Sequence, residues 1–341
     1  MFKMKRLQSS HLGLLLALIV IFLTVAFASG CTANPKAKTY RVGVLVGLPF
    51  LADIETGFKE GMAELGYVEG ENIIYDVQIV GFDIATYQSV LQQFVEDEVD
   101  LILVCPTEAT IEAKTITADT GIPVVFTFAL IEGMGIVNSV QEPGGNVTGV
   151  RYPGPDLAVL RYEMLRDIAP NLERIVIPYQ AGYPIVQPQL EALYPVAEAD
   201  GVTIIEAPVN TAEELDAFFQ ELAASGDPDV DAVLAVAEPL TTTPETIAVI
   251  NAFGEKYQVL IGGIVSPEID GYRSLFGINV NIKQAGSSAA PLADKIFQGF
   301  DPQTIPVVSS DPYIEIDYKM IQQLGIQVPD TVLATADQVY R

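Results

Sequence analysis

One histidine, two cysteines and forty-four carboxylates are the groups with which this 341-residue chain could do chemistry. The histidine, His11, and one cysteine, Cys31, stand near the start; Cys105 closes the apolar run LILVC. Beyond His11 there is no imidazole. That excludes histidine triads, HExxH zinc sites and His/Cys metal clusters from the rest of the chain. Cys105, without a base to activate it, reads as a small buried hydrophobe. No phosphate-binding loop and no GxGxxG follows a strand. The "GSS" at 286–288 has helical flanks, so it lacks the strand–turn–helix setting of a nucleophile elbow. "DPDVD" (227–231) has neither the glycine nor the closing glutamate of a calcium loop and reads as an acidic turn. "NVT" (146–148) fits a glycosylation sequon, and a turn is the better reading. A carboxylate pair could do acid–base work, yet no two acids stand out from the field. The expectation is a non-enzyme, with no catalytic residue, no metal ligand and no cofactor.

Chemistry of another kind is written at Cys31. Lys3, Lys5 and Arg6 form a basic start, residues 12–28 are almost wholly apolar, and Ala28-Ser29-Gly30 precede the cysteine. This is the layout of an export signal, residues 1–30, and Ala-Ser-Gly-Cys resembles the motif at which a signal is cut and the cysteine acylated. The apolar run also approaches the length of a short membrane span, so an uncleaved anchor is the alternative. Cys31 is then the lipidation site, with residues 31–38 as a polar tether at the extracytoplasmic face of the cell membrane. Cleavage would remove three of the 18 Lys+Arg and none of the 44 Asp+Glu, taking the net charge from −26 to −29. Such a surface repels phosphate backbones, which argues against nucleic acid as a partner.

The elements that must position any site alternate from residue 40 onward. "YRVGVLVGL" (40–48) is a continuous apolar run, as in a strand buried on both faces of a parallel sheet. A helix follows with Ile54, Phe58, Met62 and Leu65 at helical spacing, acids in its first turn and Gly66 at its end. "NIIYDVQIV", "LILVC", "IPVVFTFA" and "VTGVRY" continue the strands, with helices near 84–97 and 108–119. A second series begins at Arg174 with "RIVIPY", "VTIIEAPV", "AVLAVA" and "VLIGGIV", separated by helices near 185–199, 211–224 and 243–256. The expected fold is α/β, two doubly wound parallel-sheet lobes joined by a hinge; the break around "YPGPDL" argues against one barrel. The lobes are expected at 39–152 plus about 274–303, and 153–273 plus about 304–341.

In open α/β sheets, ligands meet the loops beyond the carboxyl ends of the strands, where helix N-termini offer N–H groups. Here those loops read "GLPFLAD", "CPTEAT", "FTFALIE", "YQAGYP", "AEPLTT" and "IVSPE". Phe50, Phe126, Phe128, Tyr152, Tyr179 and Tyr183 lie in or beside them, which suits an aromatic or apolar ligand, although aromatics at strand ends also serve as core.

Three runs, "GFKEGMAELGYVEGENI" (57–73), "PTEATIEAKTITADTGIPVVFT" (106–127) and "PGGNVTGVRY" (143–152), resemble the substrate-binding lipoproteins of ABC transporters. The tryptophan- and tyrosine-type members are the nearest group, and "MIQQLGIQVPDTVLATA" resembles the group's ending. The signature glycines have structural explanations, so these runs are read as markers of fold. The resemblance implies a type I periplasmic-binding-protein fold. It also implies a small solute in the interlobe cleft, an amino acid and an aromatic one in view, delivered to a membrane permease and its ATPase by a monomer. A ligand sensor signalling to a membrane partner is the alternative.

For contacts the resemblance points to Pro49, Phe50, Asp53, Thr107, Glu108 and Ala109 in the first lobe, with Thr127, Phe128 and Tyr152. The second lobe would add Tyr179, Gln180, Glu238 and Ser266. Thr107 and neighbouring N–H groups would hold a carboxylate, and Asp53 or Glu238 an amine. Asp53 reads equally as a helix-end charge and Thr107 as a helix cap. Two departures bear on the ligand: "FALIEGM" stands where the family often has Asp-Pro, and Glu238 replaces the second lobe's usual Asp.

Overall fold

Strand β1 (Tyr40–Val46) is buried at its last five positions and β3 (Leu101–Cys105) at all five, the pattern of strands covered on both faces. Both belong to a six-stranded parallel sheet with β2 (Ile73–Ile79), β4 (Val124–Ala129), β5 (Val147–Arg151) and β11 (Val308–Ser309). Its order is β11-β5-β4-β3-β1-β2. The structure is a computed structural model and describes residues 38–267 and 271–341. The expected export signal, Cys31 and most of the expected tether lie outside the described residues. Tyr40–Arg341 forms one compact unit.

Helices cover both faces of this sheet. α2 (Ile84–Glu96) and α3 (Thr107–Thr117) pack on one side, where Tyr87, Leu91, Phe94 and Ala113 join a core with Phe126. α1 (Asp53–Glu64) lies on the other, its Ile54, Phe58 and Met62 sharing a core with α8 (Ile282–Phe297). Local signals set the starts: the Thr86 N–H donates to the Asp83 carboxylate and the Gln284 N–H to Asn281.

The second lobe is a four-stranded parallel sheet, β7-β6-β8-β9, of β6 (Arg174–Gln180), β7 (Thr203–Val209), β8 (Ala232–Leu234) and β9 (Leu260–Gly262). α4 (Gly154–Ile168) and α5 (Val186–Ala199) cover one face. α6 (Ala212–Leu222) and α7 (Pro244–Tyr257) cover the other. A bridge from Gly263 to Gly277 joins it to a further sheet: β10 (Phe276–Val280), β12 (Pro312–Asp317) antiparallel to it, and β13 (Gln338–Tyr340) parallel to β12. α9 (Tyr318–Gln323) and α10 (Asp330–Leu333) lie in the tail.

The chain passes between the lobes three times, at 151–154, 280–282 and 309–312, as the order of elements requires. The segment 274–303 thus divides: β10 sits in the second lobe's core and α8 in the first lobe's. At the outer passes Arg151 gathers the strands. It pairs with Glu132 and Asp156, the latter at 2.6 Å, and its Nε donates to Ser309 Oγ at 2.6 Å.

The signature runs are absorbed by this framework. Tyr67 donates to Asp294 on α8 at 2.8 Å, and the Asn72 amide closes the turn after α1 through the Gly66 carbonyl and Val68 N–H. Asn146 donates to Thr117 Oγ1 and to the Ile122 carbonyl, while Thr148 donates to the Ile305 carbonyl. Before them, Gly144 and Gly145 turn the chain at φ +74 and +65, which favours glycine.

Candidate ligand-binding cleft

Where the carboxyl ends of both sheets face each other, the lobes enclose a cavity of about 440 Å³. The first lobe supplies Leu48 and Phe50 after β1, Pro106, Thr107 and Glu108 at the start of α3, and Phe128 and Leu130 at the end of β4. The second supplies Tyr183 and Ile185 after β6, Ala237 to Pro239 and Thr242 after β8, and Ile264 and Val265 after β9. Tyr152 and Ile282 come from the interlobe passes, and Asn279 from the end of β10.

Phe128 owes its position to a backbone irregularity. The β4–β5 register shifts between Thr127 and Ala129, and Phe128 takes φ +51, rare for a bulky residue. Such a conformation costs about 1–3 kcal/mol and persists where surroundings hold it. Here the ring touches the cores of both lobes and lies 4.9 Å, centroid to centroid, from Tyr152. Phe50, by contrast, is 65 % exposed at the rim.

The polar groups form two sets. Around Tyr183 stand two carboxylates. Its hydroxyl donates across the cleft to Glu108 Oε1 at 2.7 Å, and burial together with the charges of Glu108 and Glu238 holds it protonated well above the ordinary tyrosine range. Glu238, 5 % exposed, is tied down by its own loop, accepting from the N–H groups of Gln180, Leu240 and Thr241. Glu108 Oε2 accepts no hydrogen bond from the described residues. The second set is donor-rich. Tyr152 Oη accepts from Arg161 Nη2 at 2.8 Å, and Asn279 Oδ1 accepts from the Val280 N–H.

Of the thirteen ligand contacts expected from the sequence, Phe50, Thr107, Glu108, Phe128, Tyr152 and Glu238 line the cavity. The other seven do not. Asp53 is an exposed first-turn charge on α1, and Pro49 is exposed beside Phe50. Ala109 packs into the α2–α3 core. Thr127 is fully buried and donates to the Ala285 carbonyl on α8, while Tyr179 donates to Glu206 on β7. Gln180 meets Glu238 through its backbone, and Ser266 stands one residue beyond Val265. Thr107 is the first helical residue of α3, and its hydroxyl oxygen accepts from the Leu130 N–H at 3.0 Å, tying two cleft loops together. Sequence reasoning missed Ile185, Asn279 and Ile282, which lie outside the six loops. Cys105 is buried and free, its thiol pushed up to about 12 by burial.

Two α/β lobes joined by three passes, with one largely apolar cavity between their strand ends, define a solute-binding protein. Residues 41–340 match the model of the ABC transporter substrate binding protein family, and the chain belongs to that family. It is similar to a tyrosine-binding protein of Clostridioides difficile (strain R20291), 26 % identical over 285 residues, or 82 % of this chain and 78 % of the relative. Among solved structures, a protein from Streptococcus pneumonia in complex with L-Trp has a TM-score of 0.74 at 24 % identity, covering 89 % of this chain and 100 % of that one. A solute-binding protein from Bacillus halodurans with bound myo-inositol has a TM-score of 0.61 at 16 % identity, covering 85 % and 98 %.

Proposed function

We propose that this protein is the extracytoplasmic, lipid-anchored binding component of an ABC importer and that it captures an aromatic amino acid in the interlobe cavity. The observation that carries the reading is the cavity itself: about 440 Å³, within the roughly 300–1,000 Å³ of small-molecule sites, with aromatic walls and carboxylates at one side. The names of the relatives, a tyrosine binder and a structure solved with L-Trp, support an aromatic ligand. Glu108 is the acceptor for the ligand's ammonium group, with Glu238 adding charge behind it. A ligand carboxylate at the start of α3 would meet the Glu108 charge, which speaks against Thr107 as its holder.

Closure follows from contacts to both lobes, because a ligand shifts an equilibrium by its differential affinity for the two states. The protein works as a monomer, with the lobes as expected from the sequence except that β10 goes with the second and residues 304–309, with β11, go with the first. It hands its ligand to a permease driven by an ATPase. Acylated Cys31 holds it at the membrane; stable anchoring takes more than one chain.

Thermal shift tests the ligand. L-Trp or L-Tyr should raise the melting temperature in proportion to the logarithm of its concentration above Kd. A rise with myo-inositol or nucleosides alone would remove the amino-acid reading. For the anchor, labelled palmitate should enter the wild-type chain and not Cys31→Ser.

A further inference from the structure

A buried arginine lies behind the cavity wall with no carboxylate among its hydrogen-bond partners. Arg161, in the middle of α4, is 0 % exposed. Its Nε donates to the Ile278 carbonyl at 2.8 Å and its Nη2 to Tyr152 Oη at 2.8 Å. Nη1 is buried and has no hydrogen-bond partner. A guanidinium keeps its charge in a protein, and a buried charge is costly without a counter-ion. An apolar side chain of similar size would fill the same space at no such cost, so stability alone does not account for this residue.

The hydrogen-bond directions say what the arginine does. Tyr152 lines the cavity and accepts from Arg161, so its own O–H remains to donate, and no described residue accepts it. Asn279, also on the wall and next in the chain to Ile278, spends its carbonyl oxygen on the Val280 N–H and keeps its amide N–H groups as donors. This wall offers donors backed by a positive charge. The carboxylates of the cavity gather instead around Tyr183.

We infer that Tyr152, positioned and polarised by Arg161, is the subsite that takes the ligand's carboxylate; the inference rests on the amino-acid reading above. Tyr152 touches the ligand, with Asn279 beside it, and Arg161 acts through Tyr152. A zwitterion then lies with its ammonium at Glu108 and its carboxylate at Tyr152, and both groups set the polarity of the site.

Calorimetric titration of the detergent-solubilised full chain with L-tryptophan and L-tryptophanamide tests this, since both ligands keep the ammonium and only the first has the carboxylate. Wild type should prefer the acid by about tenfold or more, as for a hydrogen bond to a charged group. Tyr152→Phe should weaken L-tryptophan by about that factor, leave the amide nearly unchanged and so collapse the ratio. Arg161→Met should collapse it too, with Arg161→Lys restoring part. The double variant Tyr152→Phe/Arg161→Met removes both ends of the Arg161–Tyr152 bond and leaves only the Ile278 carbonyl without its side-chain donor, which keeps the comparison available if the single arginine variant folds poorly. An undiminished ratio in Tyr152→Phe and in the double variant overturns the subsite and leaves the amino-acid reading standing. Failure of wild type to bind either L-tryptophan or L-tyrosine overturns both.

Discussion

In the first lobe α1 and α8 meet backbone to backbone: a Cβ on Gly57 would lie 1.9 Å from the Lys283 carbonyl, and one on Gly286 2.1 Å from that of Ile54. In the second lobe α6 and α7 meet through the stacked rings of Phe219 and Phe253, 4.1 Å apart. At those two glycines the first interface has no side chain that could yield; the second is made of side chains. Only the first reaches the cavity, because α8 begins at the cavity residue Ile282, whereas no residue of α6 or α7 lines it. The helix pair on that side is a fixed frame, whereas the second lobe depends on side chains filling their space.

Removing a side chain should damage the second interface, and adding one should damage the first. Phe219→Ala empties the aromatic stack and should cost about 3–5 kcal/mol in chemical unfolding. A cost below about 1 kcal/mol would mean that the stack is not what holds α6 to α7. Gly57→Ala should cost about 1–3 kcal/mol through the forced separation of α1 from α8, although glycine to alanine inside a helix ordinarily stabilises by roughly 0.5–1 kcal/mol. A stabilised Gly57→Ala would refute the backbone contact outright. At the cavity, Glu108→Gln keeps an acceptor for Tyr183 but removes the charge. It should weaken aromatic amino-acid binding about tenfold, read by calorimetry, with stability changed by no more than about 0.5 kcal/mol.

Alkaline pH probes the link across the lobes. Tyr183 holds its proton above the ordinary tyrosine value, first through burial and then through Glu108. Its folded pKa is the higher one, so its contribution is complete below about pH 10 and is lost as pH rises from there. Tyr183→Phe should flatten that alkaline decline and cost about 1 kcal/mol at neutral pH. The smallest effect is a reactivity. In a chain carrying Cys31→Ala, Cys105 reports the first lobe alone. Its raised thiol should resist a disulfide reagent at pH 8 until that lobe unfolds.

The alternating strands and the six cleft loops were legible from residue 40 to residue 265, because periodicity and strand-end position are properties of sequence spacing. Which side chain in a loop faces the ligand was not. Thr127 and Phe128 are neighbours, yet one bonds to α8 and the other reaches the cavity, since a register shift breaks the two-residue alternation there. Tyr179 and Tyr183 share a loop segment, and only the second crosses the cleft. "YPGPDL" reads as a break, but Pro155 sits in the first turn of α4, where proline is tolerated. Missing that helix hid Arg161. β12 was missed as well, because it opens on a proline and its partners, β10 and β13, are remote in sequence.

The division of 274–303 between the lobes has a consequence for the order in which the chain is made. Roughly 220 residues separate the end of α1 from the start of α8, its packing partner. At ordinary synthesis rates α1 therefore waits roughly 10–40 s for that partner. The first sheet waits longer still for β11, its edge strand at Val308–Ser309. A chain so arranged cannot finish its N-terminal lobe as it emerges, and it stays threadable until nearly all of it has been made.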